Sequence, residues 1–96
     1  MMSKRVIGLP QYLSAQQRLN LANVYLENAR KAQELNITLV LCHNAEESLL
    51  HAGKATKSQP LLDGIATVYS ALGKLLEERK RDSEAIAFHK KAEGLG

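Results

Sequence analysis

His43, Glu47 and His51 recur at steps of four residues, and neutral imidazole with carboxylate is zinc-binding chemistry. On a helix the three would fall along one stripe. The third would stand about 12 Å from the first by helical rise, too far to share one ion. A solvated polar stripe is therefore expected there. Cys42 beside His43 pairs a nucleophile with a base, yet adjacent helical residues point about 100° apart and do not face each other. Cys42 also sits on an apolar face, where a thiol behaves as a small inert hydrophobe. The run Glu77-Glu78-Arg79-Lys80-Arg81 could bind phosphate, but its two leading acids weaken that reading. It is expected to be a hydrated helix end whose cations offset the C-terminal dipole. No glycine loop of the G-x-x-x-x-G-K type occurs to cradle a nucleotide. These residues point to a chain with no catalytic centre, no metal and no cofactor: not an enzyme.

Composition narrows the class further. Ninety-six residues allow one domain, near the small end of what buries a sufficient core. Apolar residues make up 45% and aromatics only 4%, with Trp absent, so Ala and Leu must carry the burial, as in closely packed helices. The net charge of +3 comes from thirteen basic and ten acidic residues. Both signs are scattered and no aromatics interleave to stack bases, so nucleic acid is not an expected partner. Cys42 is the single cysteine, which excludes an internal disulfide and fits a reducing compartment. No apolar stretch is long enough for a signal peptide or a membrane span. A cytoplasmic chain is expected, with the sequon Asn36-Ile37-Thr38 a coincidence.

The apolar spacing is helical nearly throughout. Residues 1–13 read as an extension that includes Tyr12, and 14–96 as one helical domain. Ser14 followed by Gln17 fits a capping box, opening a first helix that presents Ala22, Tyr25, Ala29 and Ala32 on one face. Asn36 or Thr38 is the expected cap of a second helix burying Leu39, Cys42, Ala45, Leu49 and Ala52, with Gly53 as its stop. Lys54 to Gln59 reads as a connector, and Pro60 suits a first helical turn. Leu61, Ile65, Tyr69, Leu72 and Leu76, widened by Leu62 and Val68, form the strongest apolar stripe. Asp82 is the expected cap of a last helix carrying Ala85, Phe88, Ala92 and Leu95, ended by Gly94 and Gly96. The hairpins are placed at about 14–53 and 59–95.

The two halves echo each other. Ala45 to Ala85 and Ala52 to Ala92 are both forty residues apart, while Ala22 to Gly73 are fifty-one apart, which points to a duplicated hairpin. Tyr69, Leu72, Gly73 and Leu76, followed by Glu84-Ala85-Ile86 and Ala92, resemble the tetratricopeptide repeat, a helix-turn-helix unit of about 34 residues. Gly73 and Ala85 would let paired backbones approach, with Leu72 and Leu76 filling the seam. Lys80 stands where that family usually has a turn glycine, and His89 where an aromatic is usual. In the first half Leu21, Ala22, Tyr25, Ala45, Leu49 and Ala52 make a looser copy. Its small pair is 23 residues apart against 12 in the second, an excess of about three helical turns.

The resemblance implies an all-α fold of two antiparallel helical hairpins, four helices in a right-handed repeat, with a closed four-helix bundle as the alternative. It also implies a groove lined by the first helix of each hairpin. By position that groove would show Asn20, Asn23, Glu27, Ser70, Lys74 and Glu77 to a protein or peptide partner. The carboxylate clamp of some members is not expected, because Leu19 replaces its Lys and Ala71 its Asn. The implied role is a non-catalytic protein–protein interaction module, an adaptor or scaffold. Repeat units bury their faces on neighbours, so a homo-oligomer associating through terminal helices is expected. The alternative is a four-helix oligomerisation or regulatory segment of a larger protein, without a peptide groove.

Overall fold

The computed structural model describes residues 13–95, and Tyr12 and Gly96 lie outside them. The described residues form four helices and no strand: α1 (Ala15–Lys31), α2 (Leu35–Ala55), α3 (Gln59–Glu78) and α4 (Asp82–Leu95). The expected all-α fold of four helices is the one observed. Ser14 opens α1 with both halves of a capping box. Gln17 N–H donates to Ser14 Oγ at 3.1 Å and Ser14 N–H to Gln17 Oε1 at 2.8 Å. Pro60 sits in the first turn of α3, where its missing N–H costs nothing.

Several boundaries differ from expectation. Neither Asn36 nor Thr38 caps α2, which starts at Leu35 after Glu34 with no side-chain cap. Thr38 is instead fully buried, its hydroxyl donating to Glu34 O at 3.3 Å. Gly53 does not stop α2, because its φ stays helical and the helix runs on to Ala55. The connector therefore shrinks to residues 56–58. Asp82 is the first residue of α4 rather than a preceding cap, and Gly94 lies inside that helix. On α1, Leu26 fills the core and Tyr25 is only partly buried. Single positions of a helical stripe shift easily between adjacent seams.

Packing follows the small residues. Ala22, Ala29, Ala45 and Ala52 are fully buried where α1 lies along α2, and Ala85 is 1% exposed where α3 lies along α4. Methyl-sized side chains permit this proximity. The hairpins then meet through α3, which packs on both α1 and α2, while neither of those packs extensively on α4. In a closed up-and-down bundle the first and last helices would be neighbours; here the ring stays open. The Cα trace is accordingly a slab of 49 × 31 × 16 Å. At the α1–α3 crossing a Cβ on Gly64 would meet Leu19 Cδ2 at 2.9 Å, so glycine makes room for that leucine.

The α3–α4 turn shows why its sequence departs from the repeat pattern at tolerable cost. Lys80 adopts φ 67°, in the left-handed region that favours glycine. Its N–H donates to Glu77 O at 3.0 Å and that of Arg81 to Leu76 O at 2.8 Å, the bonding of a Schellman motif.

Candidate functional site

The residues with chemical potential are dispersed. His43, Glu47 and His51 are all exposed. His43 Nδ1 lies 3.7 Å from Glu46 Oε1, not against Glu47. No group of three His, Cys, Asp or Glu side chains among the described residues is placed to hold a metal ion. Cys42 is buried, and burial pushes its thiol up to about 11, partly offset by the Arg79 charge. That is the opposite of the depressed value a nucleophilic thiolate needs. No helix among the described residues is long and apolar enough to cross a membrane.

The charged run at the end of α3 is more than a hydrated terminus. Arg79 reaches across to the first hairpin, where Nη1 donates to Thr38 Oγ1 at 2.8 Å and Nη2 to Arg30 O at 3.2 Å. One planar guanidinium thus ties the end of α3 to the last turn of α1 and the first turns of α2. The sequence carried no sign of this role, since both partners are more than forty residues away.

Asn20, Asn23 and Glu27 on α1, and Ser70, Lys74 and Glu77 on α3, are all exposed. Because α1 and α3 lie side by side, the two stripes border one face. Lys74 shares a cleft with Arg30 of α1, together with Ala71, Leu75 and Glu78. Four of the six side chains are engaged locally. Asn20 Oδ1 accepts from Gln16 at 3.0 Å, Asn23 Nδ2 donates to Leu19 O at 3.2 Å, and Glu27 pairs with Arg30 at 2.7 Å. Glu77 meets His89 Nε2 of α4 at 2.9 Å. Ser70 leans the same way, lining a hollow with His89 and Ala92. The face is polar and of mixed charge.

His89 also explains Gly73. A Cβ there would stand 2.8 Å from the imidazole Cε1 and Nε2, so the ring covers the glycine and then reaches Glu77.

A second surface was not anticipated. A groove of about 340 Å³ opens between α2, α3 and α4, lined by Leu49, Leu50, Ile65, Tyr69 and Leu95, with Lys54 and Lys91 as its charged residues. The Tyr69 ring stacks obliquely on Phe88 at 6.1 Å, and burial, with the Glu46 charge adding to it, pushes its hydroxyl up to about 12. Lys91 bonds Glu46 at 2.7 Å and lies 5.8 Å from the Phe88 ring centre. The only hint in the sequence was Leu50, an apolar residue off the buried stripe of α2. No protein-family model, curated protein or solved structure matches the chain.

Proposed function

We propose that this chain is a non-catalytic protein–protein interaction module, two stacked helical hairpins similar to tetratricopeptide repeats, acting as an adaptor or scaffold. One observation carries the reading: α3 packs on both helices of the first hairpin, which leaves α1 and α3 side by side with an open face. A closed bundle would have spent that face on its own core. A peptide or partner helix lying across α1 and α3 would meet Asn23 and Lys74. The buried, unreactive thiol fits a cytoplasmic setting. The test is affinity capture with the full chain, compared with an Asn23→Ala, Lys74→Glu variant of unchanged circular dichroism. The reading predicts a protein captured by the parent and lost by the variant; equal capture by both would overturn this face.

Self-association is a second reading, favoured by the exposure of Ile37 and Val40, one turn apart on α2, and of Val24 on α1, at 48%, 58% and 54%. Light scattering at high micromolar concentration tests it. A dimer that Val40→Glu dissociates supports it, and a monomer refutes it.

A further inference from the structure

We propose that the groove between α2, α3 and α4 binds an acidic amphipathic helix of a partner protein, with an apolar side chain seated on Leu49, Leu50, Ile65 and Leu95 and a carboxylate held by Lys54. The site is independent of the α1–α3 face and shares no residue with it. Its volume, about 340 Å³, is near the small end of pockets that enclose a small molecule, roughly 300–1,000 Å³. It is also open at the side, where Leu50 is 44% exposed. An open apolar trough of this size anchors a side chain or two of a larger body; it does not enclose a ligand. A helix laid in a groove by residues at i, i+3 and i+4 has that shape.

The polar groups select the sign of the ligand. Both charged residues of the lining are lysines, and Lys54 makes no ion pair among the described residues. Tyr69 lines the groove too, and its hydroxyl makes no hydrogen bond among the described residues. Lys91 is already paired with Glu46 at 2.7 Å, which leaves Lys54 as the charge available to a ligand. The groove thus offers donors and positive charge around an apolar floor. A carboxylate beside an apolar anchor satisfies both, whereas a basic helix would set like charges together.

The experiment titrates the isotope-labelled full chain with a designed helical peptide of leucines at i, i+3, i+4 and i+7 flanked by glutamates. A second peptide has lysine for each glutamate. The proposal predicts amide shifts confined to the groove, with binding by the glutamate peptide at least about tenfold tighter than by the lysine peptide. Leu50→Gln should weaken it roughly tenfold, as loss of one buried leucine contact does, and Lys54→Glu by a similar factor. Asn23→Ala with Lys74→Glu should leave it unchanged, which separates this site from the α1–α3 face. No shift at millimolar peptide, equal binding of the two peptides, or binding that survives Leu50→Gln would overturn the proposal. Tighter saturation of the groove by dodecanoate would also overturn it, by assigning a lipid-like ligand instead.

Discussion

Arg79 shows how one side chain can hold two hairpins in register. Removing it as Arg79→Ala strips hydrogen bonds from Thr38 Oγ1 and Arg30 O, and should cost roughly 1–3 kcal/mol in urea denaturation. Arg79→Lys should recover little of this, because an ammonium lacks the planar fork that reaches both acceptors. Unchanged stability in the alanine variant would contradict the role. A charge run looks alike in sequence whether it meets water or a distant carbonyl, so Arg79 was not legible there. Cys42 was, because its place on the apolar stripe of α2 already made it a core thiol. It and Tyr69 give the fold a pH limit. Both groups are raised by burial, from 9.0 to about 11 and from 10.0 to about 12, so above pH 9 the unfolded chain releases protons that the folded chain keeps. Stability should be intact below pH 9 and fall as pH rises through 11. A thiol reagent at pH 8 should label Cys42 only after denaturant is added; rapid labelling of the native chain would contradict its burial.

At the scale of the helices, types and order were readable, and ends were not. The capping box at Ser14 and Gln17 worked because both partners lie within one turn and are specific to it. Thr38 and Asp82 are equally good capping residues by type, but Thr38 was wanted in the core. The excess length of the first hairpin resolves cleanly. α1 runs four residues further past Ala22 than α3 does past Gly73, and α2 starts seven residues further ahead of Ala45 than α4 does ahead of Ala85. The surplus extends the helix ends next to the turn that Arg79 clasps. The matching turn of the second hairpin keeps lysine in a glycine conformation. Lys80→Gly should therefore raise stability by about 1 kcal/mol, as relief of left-handed strain does. A loss of stability in thermal melts would show that the Lys80 side chain contributes more than its backbone costs.

Over the whole molecule, the sequence offsets acquire a physical meaning. Leu19, Leu26 and Leu49 are buried on the first hairpin. Their counterparts at the offsets of fifty-one and forty are Ser70, Glu77 and His89. The leucines of the first hairpin are thus replaced in the second by hydroxyl, carboxylate and imidazole, with Glu77 and His89 bonded across Gly73. Ser70 and Glu77 are exposed and His89 is half-buried, so this face is polar and hydrated. Association through that end is correspondingly disfavoured, and the exposed apolar residues of α2 become the better site for it. The apolar groove could not have been read from spacing, because it needs three helices at once. The proposed peptide-binding face rests on α1 lying beside α3. Methyl NOE spectroscopy tests that contact directly. Strong cross-peaks between the Leu19 δ-methyls and the Gly64 α-protons are expected, whereas their absence, with Leu19 instead contacting α4, would mean a closed bundle and no open face.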